Sequence, residues 1–113
     1  MKTQADLEPL RSLAFGDISG TYAAVGTPFE FPSRLVCFTN NTEGDLVFSR
    51  DISISAGELF VASGSFKLFD VSTNHRPVNQ DDFVFEVGTQ WYVKQLEAPV
   101  SGSVYIETLH ART

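Results

Sequence analysis

The sequence predicts an all-β fold: a single β-sandwich or jelly-roll-like domain of roughly eight short antiparallel strands. Turn-forming clusters of Gly, Asn, Asp, Ser and Pro recur at intervals of about 8–12 residues. The apolar runs between them are short and rich in β-branched and aromatic residues, and none repeats with the period of a helix. The 113 residues are the length of one domain, which is large enough to bury a core without disulfide bonds.

Two apolar runs, at residues 35–38 and 46–48, give the clearest strand signal. Asn40, Asn41 and Gly44 lie between them, and residues of these types tolerate the positive φ angles of tight turns. The pattern predicts a β-hairpin of two core strands, joined by a loop longer than the minimal two residues.

The rest of the chain repeats this alternation of short strand and turn. In the run 66–71, apolar residues occupy both alternating faces, so this strand is expected to be covered on both sides or buried in an oligomer. Residues 72–82 are expected to form a polar surface loop, and residues 110–113 a tail. Further extended segments are expected at residues 12–15, 18–25, 52–55, 58–62, 83–87, 90–96 and 103–109.

The alternation along these strands also predicts the core. Cys37, the only cysteine, lies within a strand pattern and is expected to be an inert core residue, so neither a disulfide nor a cysteine-bound metal is expected. Most of the core is expected to come from Leu35, Val36, Phe38, Leu46, Phe48, Phe66, Leu68, Phe83, Phe85, Trp91, Val93, Val104 and Ile106.

Residues 1–11 are polar and mixed in charge, and we expect a flexible N-terminal arm before a single domain at residues 12–113. Pro9 blocks a stable helix in the arm. We expect the arm to order against a partner through Leu7 and Leu10, its large aliphatic residues after Met1.

The loop at residues 26–32 holds two phenylalanines between two prolines. Phe29 and Phe31 alternate with Glu30, so both are expected to point the same way, into the core or into a neighbouring subunit. The prolines restrict the loop before binding, which lowers the cost of ordering it. We therefore predict that Leu7, Leu10, Phe29 and Phe31 contact a partner protein.

The charge of the chain excludes several classes of partner. The net charge is −6, and the eight Lys and Arg residues are dispersed, so direct contact with nucleic acid or with an anionic membrane is not expected. No stretch approaches the length of a transmembrane segment or forms a signal peptide. The chain is expected to be made in the cytosol.

No pattern in the sequence predicts catalysis. His75 and His110 lie in the polar loop and the predicted tail, and no nucleophile elbow accompanies them. The neighbouring carboxylates of Asp81 and Asp82 do not suit glycoside hydrolysis, because they would not face each other across a bond. We therefore expect no enzyme activity, no catalytic residues and no cofactor.

Two weaker binding patterns remain. Trp91 and Tyr92 are adjacent in a strand, so one is expected in the core and the other on the surface, where it could stack on a sugar ring. A calcium site is not expected, because the oxygen-bearing residues have no EF-hand spacing and are typical of a solvated turn. These residues are Asp70, Asn74, Asn79, Asp81 and Asp82.

Three stretches of the chain resemble a group of small virion proteins of tailed bacteriophages and prophages. They are residues 12–26 (Ser-Leu-Ala-Phe-Gly-Asp-Ile-Ser-Gly-Thr-Tyr-Ala-Ala-Val-Gly), residues 38–46 (Phe-Thr-Asn-Asn-Thr-Glu-Gly-Asp-Leu), and residues 88–95 (Gly-Thr-Gln-Trp-Tyr-Val-Lys-Gln) with 102–107 (Gly-Ser-Val-Tyr-Ile-Glu). The resemblance covers the chain from about residue 12 to 109 and contains no active-site motif.

The resemblance implies a non-enzymatic structural protein of the virion, made in the host cytoplasm. Such a protein is present in many copies in the particle. It either decorates or cements the capsid, or it sits at the head–tail junction or on the tail. Its expected partners are capsid, portal or tail proteins and further copies of itself. The alternative is a carbohydrate- or receptor-binding β-sandwich module, which requires a concave patch of exposed aromatic residues beside Asp or Asn.

Overall fold

The computed structural model describes residues 4–70 and 85–112, which form two antiparallel β-sheets and no α-helix. The prediction of an all-β sandwich is confirmed. A 3₁₀ turn, Phe15–Asp17, interrupts the strands. The strands are β1 (Gln4–Leu7), β2 (Arg11–Ala14), β3 (Ala23–Ala24), β4 (Leu35–Thr42), β5 (Leu46–Ser49), β6 (Leu59–Val61), β7 (Phe66–Asp70), β8 (Tyr92–Gln95) and β9 (Gly102–Arg112).

The first sheet is built around β9, the longest strand. β1 and β2 lie end to end along one side of β9, with Leu7 opposite Leu109 and Leu13 opposite Val104. β4 pairs with the other side of β9, and β7 pairs with β4. The result is a five-stranded sheet that has β7 at one edge among the described residues.

The second sheet has the strand order β3-β8-β5-β6. All four residues of β5 are buried: Leu46 and Phe48 face the first sheet, whereas the chain between β5 and β6 covers Val47 and Ser49 on the opposite side. The central ring of the interface is Phe38, whose centroid lies 5.4 Å from that of Phe48 and 4.7 Å from that of Trp91. Edge-to-face packing of this kind joins the two sheets into one core.

The hairpin predicted for the middle of the chain is not present. Both strands form, but β4 pairs with β7 and β9, whereas β5 pairs with β6 and β8. The buried side chain of Asn40 explains how the chain crosses between the sheets. Its Nδ2 donates to the carbonyl oxygens of Gly44 (2.9 Å) and Val61 (3.0 Å), and its Oδ1 accepts the N–H of Thr42 (3.0 Å). These bonds supply the partners that hairpin pairing would otherwise have provided.

Gly44 is needed in this crossing because of close approach to another segment. A Cβ at this position would lie 2.3 Å from the carbonyl oxygen of Glu97. The neighbouring Glu43 carboxylate accepts the N–H groups of Val100 (3.1 Å) and Ser101 (2.9 Å). The crossing is therefore fastened to the chain that leads into β9.

The core differs from the predicted set at the edge of the first sheet. Phe66 and Leu68 are exposed, 63% and 52% respectively, because they lie on the side of β7 that faces away from the second sheet. Leu35 and Phe85 are half-buried, and Phe83 lies outside the described residues. The buried apolar residues are Ile18, Val25, Phe29, Val36, Phe38, Leu46, Val47, Phe48, Val61, Trp91, Val93, Val104 and Ile106.

Several predicted segments also change. Residues 52–55 form turns and not a strand, since the Asp51 carboxylate accepts both the N–H and the hydroxyl of Ser53. The predicted tail continues β9 as far as Arg112. Of the predicted strand at residues 83–87, the structure describes residues 85–87, and Phe85 forms an isolated antiparallel bridge with Ser33. The predicted loop at residues 72–82 lies outside the described residues.

Candidate protein-contact surfaces

The predicted arm belongs to the folded domain. β1 pairs with the C-terminal part of β9, and β2 begins at Arg11, so residues 4–11 are not a flexible extension. Glu8 and Arg11 are both buried, and their side chains form an ion pair of 2.7 Å. The prediction fails because two charged side chains, which suggest a solvated tail in the sequence, are here buried together.

Arg11 fastens the loop at residues 26–32 to this region. Its Nε donates to the carbonyl oxygen of Thr27 (2.6 Å), and its Nη2 donates to that of Pro28 (3.0 Å). The guanidinium also lies 5.0 Å from the centroid of Phe29. The absence of a Cβ at Gly26 leaves room for the Arg11 stem, because a Cβ there would lie 2.6 Å from Arg11 Cγ.

Glu8 completes the connection from the other side of the pair. Its carboxylate accepts the backbone N–H groups of Glu30 (3.1 Å) and Phe31 (3.3 Å). Burial raises the pKa of Glu8, but the hydrogen bond and charge of Arg11 and the two backbone N–H groups together hold that pKa below its usual value. The arm and the loop, two separate predicted contact segments, are therefore one rigid unit.

The four predicted contact residues do not share one environment. Leu7 and Leu10 are exposed, 65% and 57%, and Phe31 is 47% exposed. Phe29 is only 2% exposed and packs in the core beneath Arg11, so it is not available to a partner. Phe29 and Phe31 thus point in different directions, because the loop is held by side-chain bonds and does not alternate as a strand would.

His110 is buried and not solvated. It lies in β9 on the side that faces the core, opposite Asp6 of β1, and its ring stacks on Phe31 with a centroid distance of 4.2 Å. Phe31 therefore has one face packed on the domain and the other in solvent. His75, the other histidine, lies outside the described residues.

A second candidate surface is the side of the five-stranded sheet that points away from the second sheet. Alternate residues of β4 are buried toward the core, so their neighbours and the residues paired with them line the opposite side. We call this side the outer face. It comprises Leu7, Ser12, Ala14, Leu35, Cys37, Thr39, Asn41, Phe66, Leu68, Asp70, Ser103, Tyr105, Glu107 and Leu109.

The outer face is mainly apolar. One row across the sheet places Leu7, Leu109 and Leu35 side by side, and another places Cys37 beside Leu68. Phe66, Leu68 and Leu7 are more than half exposed. Cys37 was predicted to be a core residue, and this prediction is wrong: its side chain is half-buried on the outer face. Exposed apolar side chains in neighbouring rows of a sheet are typical of a surface that contacts another protein.

Trp91 and Arg50 mark a third feature, a cleft of about 220 Å³ that is also lined by Glu58, Leu59, Phe69 and Phe85. Arg50 lies over the Trp91 ring at 5.4 Å and forms a 2.8 Å ion pair with Glu58. The hydrogen bond from Arg50 lowers the pKa of Glu58 to about 2 despite partial burial. As predicted, Trp91 is the core member of its pair, and Tyr92 is partly exposed.

Sequence reasoning missed the outer face as a surface, although one signal for it was present. The apolar residues on both faces of the segment 66–71 indicated a strand covered on two sides or buried in an oligomer. The pairing of β7 with β4 decides which side of the segment faces the core. The ring centroid of Phe69 lies 6.0 Å from that of Phe38 in the core, whereas Phe66 and Leu68 point outward. Which face met the core depended on the partner strand, and the sequence does not specify that partner.

Comparison of the chain with protein-family models, curated proteins and solved structures gives no match. Residues 4–70 and 85–112 contain no helix that is long and apolar enough to cross a membrane. Nor do three His, Cys, Asp or Glu side chains of the described residues gather closely enough to hold a metal ion. The surfaces described above are therefore interpreted from their geometry and chemistry.

Proposed function

We propose that the chain is a non-enzymatic structural protein of a tailed-bacteriophage virion. It docks in multiple copies on capsid, head–tail junction or tail proteins and stabilises the particle. The observation that supports this proposal best is the apolar outer face, which lies on a sheet whose other side already packs the core. A sheet that is apolar on both sides needs a second covering layer.

The energetics favour a protein as that layer. Full burial of one Leu or Phe side chain contributes about 1.5–3 kcal/mol relative to leaving it in water. Phe66, Leu68 and Leu7 are all more than half exposed, so their burial would supply part of the free energy that offsets the entropy lost when two proteins associate. Leu10 and Phe31 add exposed apolar surface where Glu8 and Arg11 join the N-terminal segment to the loop at residues 26–32.

The virion assignment rests on the resemblance of residues 12–26, 38–46, 88–95 and 102–107 to small phage virion proteins. A rigid, cysteine-poor sandwich made in the host cytoplasm suits such a role. Capsid, portal or tail proteins are the proposed partners, together with further copies of the chain in the particle. Neither nucleic acid nor membrane is a proposed partner, because the chain is acidic.

A carbohydrate-binding module is the alternative, and the described aromatic residues favour it less. Sugar stacking requires the open face of an aromatic ring beside polar groups. Trp91 is buried and covered by Arg50, and the nearby Phe85 meets it edge to face at 6.1 Å. The cleft therefore presents mainly ring edges where a sugar would need a flat platform.

The proposal is tested by incorporation into particles. A phage that lacks the gene is complemented with wild type, with Phe66→Ser plus Leu68→Ser, or with the control Ile52→Ser. Ile52 is 62% exposed in a turn away from the outer face, so the control removes an exposed apolar side chain elsewhere on the domain. We expect the control to be incorporated like wild type and the double variant to be lost from purified particles.

Circular dichroism establishes that each variant is folded. Equal incorporation of the folded double variant and wild type would overturn the assignment of the outer face as the docking surface, and with it the proposed function.

A further inference from the structure

We propose that the outer face binds a partner protein through an apolar surface that carries a Lys or Arg side chain opposite Glu107. A second copy of this chain is not the occupant. This inference rests on the proposed function and names the chemistry of the partner. The observation behind it is the place of Glu107 within the apolar rows of the face.

Glu107 is surrounded by apolar or weakly polar side chains. Across the ladder it lies opposite Cys37, which in turn lies opposite Leu68. Along β9, Tyr105 and Leu109 are two residues away on either side, so both point to the same face. Side chains directly opposite in a ladder have Cβ atoms about 4.5–5.5 Å apart, so any surface that covers Leu68 and Leu109 also covers the Glu107 carboxylate.

Covering the face therefore sets a requirement on the partner. Glu107 is exposed in the isolated chain, where water solvates its charge. A purely apolar partner would remove that water and leave a buried carboxylate without compensation, which is strongly unfavourable. A cationic side chain at this position restores a charge-assisted hydrogen bond, and a guanidinium offers two parallel ones. The partner must thus combine apolar residues with a cation.

The same charges argue against a second copy. The described positions of the outer face include the exposed Glu107 carboxylate and no Lys or Arg. Two outer faces brought together would therefore cover two Glu107 carboxylates without a cation for either, between chains whose net charge is already −6 each. Like charges across an interface disfavour association, whereas complementary charges select the partner and its register. The multiple copies in the particle are then arranged by the partner.

The test uses particles purified from a phage that lacks the gene, to which purified full-length variants are added. Bound chain per particle is measured as a function of concentration. The variants are Leu68→Ser, Glu107→Gln, Glu107→Lys and Glu97→Lys. Glu97 is an exposed carboxylate outside the outer face, so Glu97→Lys makes the same change in net charge elsewhere.

We expect Glu107→Lys to weaken binding by roughly 100-fold or more and Glu107→Gln by roughly 10-fold, because loss of one member of a buried charge pair leaves the other unpaired. Glu97→Lys should stay within about 2-fold of wild type, as rim charges contribute little. Phages selected to regain binding of Glu107→Lys should carry Lys or Arg changed to Asp or Glu in another virion protein.

The outcomes separate this inference from the proposed function. If Leu68→Ser fails to bind while Glu107→Lys binds like wild type, docking stands and the cationic partner is overturned. If both variants bind like wild type, the proposed function fails as well. Sedimentation of the wild-type chain provides a further check: a dimer that Leu68→Ser abolishes would make a second copy the occupant and overturn the inference.

Discussion

At the scale of single residues, Glu8 and Arg11 determine how the N-terminal part of the chain is attached. Arg11 bonds to Glu8 and to the carbonyl oxygens of Thr27 and Pro28, and it lies over Phe29. A buried ion pair contributes little net stability compared with an apolar pair of the same size, yet removal of one member is costly. The pair therefore specifies the position of the loop more than it adds to stability.

Arg11→Met should destabilise the domain by about 3–5 kcal/mol, because Glu8 would remain buried without its cation and two carbonyl oxygens would lose their donor. Urea unfolding followed by Trp91 fluorescence measures the change. The control is Arg50→Met, which breaks a pair whose arginine side chain is half exposed and should therefore cost less than Arg11→Met. Equal costs for the two variants would show that burial of the Glu8–Arg11 pair does not matter.

Glu58 makes stability depend on pH. Its pKa in the fold is about 2, below its ordinary value of 4.5, chiefly because Arg50 donates hydrogen bonds to it. Since the folded state holds the lower pKa, this contribution is complete above pH 4.5 and is lost as the pH falls toward 2. The midpoint temperature of thermal unfolding should therefore fall less steeply from pH 6 to pH 2 for Glu58→Gln than for wild type. Identical slopes for the two proteins would contradict the low pKa assigned to Glu58 in the fold.

At the scale of elements, β4 and β7 show how one strand can serve two surfaces. Val36 and Phe38 pack in the core, while Cys37 between them lies on the outer face. β7 continues this division, since Phe69 points inward and Phe66 and Leu68 point outward. Side chains on the outer face can therefore be substituted without changing the packing of the core.

Substitutions on the two faces should have different effects on stability. Phe38→Ala should cost about 3–5 kcal/mol, because it opens a cavity among Phe48, Phe69 and Trp91. Phe66→Ala should change stability by about 0.5 kcal/mol or less, as for other exposed positions. Chemical denaturation of the purified monomer gives both values. A large loss for Phe66→Ala would mean that the outer face is already covered within the chain.

At the scale of the whole molecule, the N-terminal segment is a structural part of the domain. β1 extends the sheet along β9, and the Glu8–Arg11 pair connects that edge to the loop at residues 26–32. The sandwich is therefore closed on this side by residues that the sequence alone assigned to a flexible N-terminal arm.

Deletion of residues 1–11 should unfold or severely destabilise the protein, with a thermal midpoint lowered by at least about 10 °C, since the ladder with β9 and the buried pair are both lost. Leu7→Ser is the control: its side chain is exposed, and the backbone pairing with Leu109 remains. Circular dichroism during heating measures both. A deletion that melts like wild type would restore the interpretation of residues 1–11 as an arm.

The sequence by itself determined the all-β class, most strand positions and the alternation that places Phe38, Trp91, Val93 and Ile106 in the core. These features depend on local patterns of period two and on turn chemistry, which a single chain displays directly. Strand pairing, the burial of Glu8 with Arg11, and the outer face were decided only by tertiary structure. Each depends on which distant segment lies alongside, and β4 could have met β5 or β9 with the same residues facing inward. Long-range pairing therefore settled which apolar residues became core and which remained a surface for a partner.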